Sequence, residues 1–301
     1  MLDTHLENDI LAILCDRSSV LGVEIAEALG NRYFEIWRTC HNSSKIYTTP
    51  FGHYYLRIDK KIEGFARLSP SILRDFLTYT RISTLDNFEK AEHDAQKSQQ
   101  EHERISDEKR DIAKQIVAET ITPDLLGRTG ILIAGDVCRN MAHLVPRPER
   151  TTGKLVRGSD IDLIFVIEEE GDLRAEIEGR IAEAKAIYLQ HPALREELDF
   201  VVNTLDHYRK VSNFEGVHNM ISCKAALEGE YLAGCQDILK KSTDILLRAQ
   251  IPRKVIKMTE KAFSDRLQAM ERLRKDPNVI GLPRERRLFY YSDEIWEFML
   301  S

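Results

Sequence analysis

The amino-acid sequence predicts an α+β protein in which a mixed-sheet domain lies between an N-terminal unit of short helices and strands and a C-terminal helical domain. Three observations predict this arrangement. Short helical stripes precede two β-rich runs before residue 84. Apolar runs typical of buried strands alternate with an amphipathic helix between residues 127 and 215. The pattern after residue 216 is mainly helical.

The composition supports folded cores and excludes several classes of protein. The chain has 301 residues, of which 43% are hydrophobic and 31% charged, and this length suits about two domains. No apolar run is long enough to cross a membrane, and the N-terminus lacks the basic and apolar regions of a secretory signal. Five scattered cysteines without a CxxC pair favour reduced thiols. We therefore expect a cytoplasmic protein that does not interact with membranes.

Residues 1–83 are predicted to form a winged-helix-like domain, because three short helices precede a hairpin. The apolar residues of the three helical stripes are Ile10, Leu11 and Leu14, then Val23, Ile25, Ala26 and Leu29, then Tyr33, Phe34, Ile36 and Trp37. The β-rich runs 46–49 and 54–58 flank a turn at Pro50 to Gly52, which predicts that they pair as a hairpin. Ser69 and Pro70 are expected to cap and begin a further helix over 70–80.

Residues 84–126 are predicted to be a polar helical linker. The segment carries six basic and eleven acidic residues, and it has no glycine. Apolar positions at helical spacing appear only late in the segment, at Ile105, Ile112, Ile116 and Val117. We therefore expect the first half to be solvated and the second half to pack on the next domain.

Residues 127–215 are predicted to form the mixed-sheet core, and residues 216–301 the helical C-terminal domain. The predicted strands of the core are 130–135, 160–169 and 197–205, and the predicted helix is 172–190. The last two strands flank the helix, and each begins beside acidic residues.

Asp160 and Asp162 are the most informative residues of the core. Residues i and i+2 of a strand face the same way, so both carboxylates project from one face. Like charges in an apolar setting repel each other, and a bound cation removes that conflict. Asp199 lies on the next strand, also among apolar residues. Oxygen-only ligands favour Mg²⁺ or Mn²⁺, and three carboxylates on adjacent strands suit two ions about 4 Å apart.

These residues resemble the motifs of the DNA polymerase β-like nucleotidyltransferases. That superfamily has a strand ending in Gly-Ser, then Ser-Asp-x-Asp-Leu, then a third Asp on a later strand. This chain has Gly135-Asp136-Val137-Cys138-Arg139, then Ser159-Asp160-Ile161-Asp162-Leu163, then Leu198-Asp199-Phe200. The resemblance covers roughly residues 128–235, about a third of the chain.

The resemblance implies roles for individual residues. Asp160, Asp162 and Asp199 would be catalytic residues and metal ligands, and Asp199 would also help to deprotonate an acceptor hydroxyl. The residues that would bind the nucleotide are Gly135, Asp136, Arg139, Ser159 and Lys224. The implied cofactor is Mg²⁺ or Mn²⁺, and the implied substrate is a nucleoside triphosphate such as ATP.

One residue departs from the family pattern. Asp136 stands where the family has a serine that contacts phosphate, and a carboxylate there repels a triphosphate unless a metal or an arginine compensates. The loop that follows is basic, with Arg139, Arg147, Arg150, Lys154 and Arg157. These residues are candidates to offset Asp136 or to grip phosphate, and a solvated surface loop is the alternative.

The C-terminal domain contains a candidate acceptor surface. Segment 248–287 has twelve basic and five acidic residues. Within it, Lys254, Lys257 and Lys261 lie on one face of a predicted helix, beside an apolar face that docks it. A basic stripe near a phosphate-handling site favours an RNA acceptor, while an ordinary solvated face is the alternative.

The sequence therefore predicts a Mg²⁺-dependent nucleotidyltransferase with a mild preference for RNA, in a superfamily that includes bacterial toxin and defence enzymes. Protein or small-molecule nucleotidylation remains open. The alternative class is a DNA-binding regulator whose nucleotidyltransferase-like domain senses a nucleotide. Residues 1–83 contain ten basic and ten acidic residues, which gives little drive for phosphate binding. The N-terminal unit thus leaves DNA contact and protein docking both open.

Overall fold

The computed structural model describes residues 3–60, 62, 64–149, 152–192 and 194–291. Helices and strands both contribute to it, which confirms the predicted α+β class. Among the described residues, a first compact unit comprises residues up to 57, residues 66–101 and the chain from 259 onward. A second unit comprises residues 58–65 and 102–258.

The elements are numbered in chain order. The helices are α1 (Thr4–Arg17), α2 (Gly22–Ala28), α3 (Tyr33–Asn42), α4 (Ile72–Thr78), α5 (Phe88–Thr120), α6 (Pro123–Gly127), α7 (Asp172–Gln190), α8 (Leu205–Val211), α9 (Val217–Glu228), α10 (Gln236–Arg248), α11 (Ile251–Lys275) and α12 (Pro283–Phe289). The strands are β1 (Val20–Leu21), β2 (Ile46–Pro50), β3 (Tyr55–Ile58), β4 (Ala66–Ser69), β5 (Thr80–Thr84), β6 (Thr129–Ala134), β7 (Pro146–Pro148), β8 (Leu155–Arg157), β9 (Ile161–Ile167), β10 (Leu198–Thr204) and β11 (Glu230–Gly234).

The first unit packs short helices on a small antiparallel sheet of order β1-β5-β2. The three helices predicted from apolar stripes are all present, and α1 buries Leu6, Ile10 and Leu14 on one face. Trp37 is 1% exposed and lies among aromatic rings, as expected for a core residue. Its indole provides apolar area that stabilises this unit.

The predicted hairpin between runs 46–49 and 54–58 is wrong. Strand β2 pairs with β5, which lies much further along the chain, and β3 pairs with β4 instead. The Phe51 amide donates to the carbonyl of Tyr79 at 2.9 Å, so β2 continues towards β5 after Pro50. The two β-rich runs correctly predict strands. Which strands pair depends on tertiary packing, and a local sequence pattern carries no information about that.

The predicted helix over 70–80 begins later and ends earlier than expected. Helix α4 has Ser71 as its cap, and the Ser71 hydroxyl accepts from the Arg74 amide at 3.3 Å. The Ser69–Pro70 peptide bond is cis, and Ser69 closes β4 instead of capping a helix. Ser69 and Ser71 lie on either side of Pro70, and serine is a favoured N-cap residue at both positions.

Most of the predicted linker is one continuous helix, α5, and the first half of this helix is not a solvated spacer. Ala91 and Ala95 are buried in the first unit, and Arg81 donates to the Ser98 hydroxyl at 2.8 Å. The second half packs as predicted, because Ile105, Ile116 and Val117 join the core of the second unit. The sequence analysis missed this packing because the buried residues are alanines, which do not form a recognisable apolar stripe.

The second unit is built on a mixed sheet of order β10-β9-β6-β11. Strands β9 and β10 are parallel, while β6 runs antiparallel to β9 and β11 antiparallel to β6. All three predicted strands and helix α7 are present within a residue or two of their predicted ends. The sheet therefore places the ends of β9 and β10 that carry acidic residues side by side.

Strand β11 was missed, because residues after 216 were predicted to be mainly helical. It is a short edge strand with a register irregularity near Tyr231, and its pattern of alternation is weak. The predicted segment 216–301 is divided between the two units, and residues 292–301 lie outside the described residues. None of the helices in the described part of the chain combines the length and apolar character needed to span a bilayer.

Candidate functional site

Three aspartates converge at the edge of the mixed sheet in the second unit. Asp162 of β9 lies directly beside Asp199 of β10 in the parallel register, and Asp160 comes immediately before β9. Each side chain is half-buried, and one oxygen of each lies within 4.8 Å of the others. Sequence spacing predicted this convergence, and the strand pairing produces it.

Gly135 brings the end of β6 against this cluster. Ala134 is the register partner of Asp162, and Gly135 follows it with a φ of +74°, which favours glycine. A Cβ atom at this position would lie far inside van der Waals contact with Oδ2 of Asp162. The glycine therefore gives the Asp162 carboxylate the space that it occupies.

A fourth carboxylate, Glu197, lies beside the three aspartates and contacts the same arginine as Asp160, and the sequence analysis missed it. It is 5% exposed, and the backbone carbonyl of Glu197 accepts from the Ile161 amide at 2.9 Å. The pKa of Glu197 is raised, mainly because the side chain is buried. The positive charge of Arg147 lowers this pKa, whereas the negative charges of Asp160 and Asp199 raise it further. The spacing Glu197-x-Asp199 repeats that of Asp160-x-Asp162, and this repeat was the available signal.

Two cations flank the carboxylates. Arg147 places Nη2 at 2.6 Å from Glu197 Oε2 and 3.8 Å from Asp160 Oδ2, and its Nε donates to the Gly158 carbonyl at 2.9 Å. Lys185 of α7 places Nζ at 2.6 Å from Asp199 Oδ1. Burial opposes the charge of Lys185, but pairing with Asp199 prevails and raises its pKa. Lys185 was not predicted, because the sequence pattern places it on the polar face of helix α7, where a lysine is expected to be solvated.

The predicted basic loop divides into different environments. Arg147 contacts the carboxylates, whereas Lys154 and Arg157 are exposed. Arg150 lies outside the described residues. Among the described residues of this loop, Arg147 therefore supplies positive charge directly to the acidic cluster.

Ser159 holds the chain just before the aspartates. It is buried, its amide donates to the His143 carbonyl at 3.0 Å, and its hydroxyl accepts from the His143 amide at 3.2 Å. These bonds fix the start of β9. The Ser159 hydroxyl therefore contacts the backbone of His143, whereas the resemblance implies that this residue contacts the nucleotide.

Arg139 and Lys224 meet at a single carboxylate. Arg139 Nη2 lies 2.7 Å from Oε2 of Glu228, and Lys224 Nζ lies 2.5 Å from the same oxygen. Burial lowers the pKa of Lys224, and the charge of Glu228 offsets part of that effect. Asp136 opens the short 3₁₀ turn that carries Arg139. The predicted nucleotide-binding residues Arg139 and Lys224 thus contact one carboxylate from one turn and one helix, while Ser159 lies apart from them on the segment before β9.

The predicted acceptor lysines lie on α11 and are exposed, beside buried Ile251 and Ala262. Lys254 lies over the Phe214 ring at 5.5 Å, and Lys261 pairs with Asp265 at 2.8 Å. Lys254 and Lys257 belong to the second unit, whereas Lys261 belongs to the first.

The carboxylate cluster has the chemistry of a divalent-cation site. Its donors are oxygens only, which suits Mg²⁺ or Mn²⁺ better than softer metals. Asp160, Asp162 and Asp199 each offer an oxygen, and mutual repulsion at this separation favours a bound cation. The residues present therefore fit the metal that the motifs imply.

Comparison of the chain with protein-family models, with curated proteins and with solved structures finds no match.

Proposed function

We propose that this protein is a Mg²⁺- or Mn²⁺-dependent nucleotidyltransferase. It transfers a nucleoside monophosphate from a nucleoside triphosphate to an acceptor hydroxyl and releases pyrophosphate. The single observation that carries the proposal is the convergence of Asp160, Asp162 and Asp199 within 4.8 Å on parallel strands. Carboxylates in this arrangement hold the ions used in in-line phosphoryl chemistry.

Each residue of the cluster has a role in the proposed reaction. Divalent ions, when bound, neutralise charge on the transferring and leaving phosphates. Asp160 and Asp162 would hold these ions, and through them the triphosphate. Asp199 accepts the proton of the acceptor hydroxyl, and Lys185 fixes the position of its carboxylate. Arg147 balances the negative charge of the buried carboxylate Glu197.

RNA is the acceptor that we favour. The support is the exposed basic face of α11 and the excess of basic over acidic residues in segment 248–287. A protein or a small-molecule hydroxyl is the other acceptor class. The superfamily resemblance brings with it the context of toxin and defence enzymes, by analogy alone. All five cysteines are free, which supports the proposal of a cytoplasmic location.

A DNA-binding regulator is the alternative class, and the winged-helix-like character of the first unit is its support. Helices α1, α2 and α3, with β1 between the first two, and the sheet β1-β5-β2 favour that character. Two polar residues of α3 are nevertheless engaged within the unit, and one of them, Arg38, donates to the Arg274 carbonyl at 3.1 Å. His41 likewise lies 2.8 Å from the Trp37 carbonyl. We therefore favour the enzyme.

A transfer assay tests the proposed function. The purified protein is incubated with each α-labelled nucleoside triphosphate, Mg²⁺ or Mn²⁺, and either total RNA or total protein from cells. We expect label to appear in an acceptor for the wild type and not for Asp162→Ala. Label in neither fraction, with pyrophosphate release also absent, would contradict the enzyme. Equal labelling by the variant would contradict the site.

A further inference from the structure

Lys185 forms a close ion pair with one aspartate of the carboxylate cluster. Its Nζ lies 2.6 Å from Oδ1 of Asp199. Asp199 also has an oxygen within 4.8 Å of oxygens of Asp160 and Asp162. A carboxylate has only two oxygens, and a second positive charge beside it is repelled by the ammonium group. The ammonium of Lys185 therefore opposes the binding of any further cation at Asp199.

Arg147, the other cation beside the cluster, is anchored differently. Its Nη2 lies 2.6 Å from Glu197, and its Nε donates to the Gly158 carbonyl at 2.9 Å, whereas Asp160 Oδ2 is 3.8 Å away. The Arg147 side chain is 13% exposed and the Lys185 side chain 33%. Arg147 can therefore keep its two closer contacts when a cation binds at Asp160, while Lys185 has to give up its close contact with an aspartate.

Helix α7 keeps Lys185 near Asp199 but leaves its side chain able to move. The preceding residue, Ala184, is buried where α7 packs against β10, so the backbone at this position is held on the sheet. The side chain itself is a long flexible stem that ends in a compact charge. Two further carboxylates, Glu197 and Glu149, attract its ammonium group. A lysine that releases Asp199 therefore remains close to the site.

We propose that Lys185 is an internal competitor for the second divalent ion of this site. Asp160 and Asp162 bind the first ion. Asp199 contributes to a second one only after Lys185 has released it. The requirement for ions at these carboxylates rests on the proposed function. The strength of the ion pair between Lys185 and Asp199 then sets the divalent-ion concentration at which the site becomes complete.

The test measures equilibrium binding of Mn²⁺ alone to the full chain by electron paramagnetic resonance, without nucleotide. Lys185→Met removes the competing charge and keeps the length of the side chain. Arg180→Met is the matched control, because Arg180 also lies on α7 and pairs with Glu176, at 2.9 Å, instead of with the cluster. We expect Lys185→Met to bind the second Mn²⁺ about fivefold more tightly than the wild type, and Arg180→Met to stay within about twofold.

Two further variants separate loss of charge from loss of packing. Lys185→Arg keeps the positive charge and should bind the second Mn²⁺ no more tightly than the wild type. A gain equal to that of Lys185→Met would contradict competition by charge. In an Asp199→Asn background, Lys185→Met should give no gain, because the carboxylate for which the lysine competes is absent. A gain that persists in this background would show that Lys185 acts elsewhere.

The remaining outcomes distinguish this proposal from the proposed function. Equal affinity for the second ion, or the lack of a second ion, in the wild type and in Lys185→Met would overturn the role of Lys185 and keep the first metal position. An equal gain in Arg180→Met would indicate a general charge effect and would also overturn it. Absence of Mn²⁺ binding in every variant would reject both the competition and the metal site. Competition without nucleotidyl transfer would retain the role of Lys185 and reject the proposed enzyme.

Discussion

Gly135 is the backbone position on which the geometry of the carboxylate cluster depends. Replacement by alanine combines a strained positive φ with a collision between Cβ and the Asp162 carboxylate. Gly153→Ala is the matched control, because Gly153 also has a positive φ, of +68°, but has open space around it. Both variants should lose about 1 kcal/mol from backbone strain.

Only Gly135→Ala should also lose metal affinity, because the displaced Asp162 no longer meets the other ligands. The measurements are urea unfolding and Mn²⁺ titration of both variants. Equal Mn²⁺ affinity in Gly135→Ala and Gly153→Ala would show that the contact with Asp162 is unimportant.

Asp199 and Asp206 offer a second matched comparison at the residue scale. Asp199 lies near the start of β10, whereas Asp206 follows that strand, in the first turn of α8, and pairs with Lys210 at 2.7 Å. Asp199→Asn should bind nucleotide yet lose transfer about a hundredfold or more, because an amide neither accepts the proton nor holds the ion well. Asp206→Asn should transfer normally. The opposite pattern would assign the role to Asp206.

The sequence predicted the three aspartates because their chemistry and two-residue spacing are local features. Glu197 and Lys185 were not predicted, since their importance comes from the pairing of β10 with β9 and from the way α7 packs on the sheet. A lysine on a polar helical face looks solvated until the neighbouring strand is known. Long-range pairing is the information that a single sequence lacks.

At the scale of elements, a buried ion pair joins α5 to the segments that enter β9 and β10. Lys109 Nζ lies 2.5 Å from Glu196 Oε2 and donates to the Arg157 carbonyl at 3.0 Å. Both side chains are at most 2% exposed. Lys109→Met leaves Glu196 buried without its partner, and we expect a loss of about 3 to 5 kcal/mol in the free energy of unfolding.

The double variant Lys109→Met with Glu196→Met removes the stranded charge as well. It should be more stable than the single variant Lys109→Met. Urea unfolding of the wild type, both single variants and the double variant measures this coupling. Additive losses in the double variant would contradict a direct interaction between the two side chains.

The basic face of α11 is an element-scale hypothesis about the acceptor. Replacing Lys254, Lys257 and Lys261 by glutamine should weaken binding to bulk tRNA and reduce its dependence on salt, because fewer counterions are released. The matched control is glutamine at Lys240, Lys241 and Lys210, three lysines of the second unit on other helices. An unchanged salt slope, or no RNA binding by the wild type at low salt, would remove RNA as the acceptor.

Elements whose evidence is local were predicted well, whereas the strand that pairs with β2 was predicted wrongly. Helix α7 and strands β6, β9 and β10 each have a continuous periodic pattern, and the structure contains all four. Strand β2 was assigned to its nearest β-rich neighbour, although β5 is its partner. The intervening β3, β4 and α4 separate the two strands in sequence, and only tertiary packing brings them together.

At the scale of the whole molecule, the chain does not divide into consecutive segments as a linear interpretation suggests. The helices α5 and α11 each begin in one unit and end in the other. The change in composition at residue 84 does not mark the end of a folded unit, because the first unit continues to residue 101. It marks the start of a segment rich in charged residues. Burial of small residues such as Ala91 leaves no mark in the charge pattern.

The central claim is that the aspartates form the metal–nucleotide site of a nucleotidyltransferase. The most direct measurement is calorimetric titration of a non-hydrolysable nucleoside triphosphate with Mg²⁺ into the wild type and into the double variant Asp160→Ala, Asp162→Ala, with Asp206→Ala as control. We predict metal-dependent nucleotide binding by the wild type and by Asp206→Ala, and its loss in the double variant, which remains folded because like-charge repulsion is removed. Equal metal–nucleotide binding by the wild type and the folded double variant would contradict the claim.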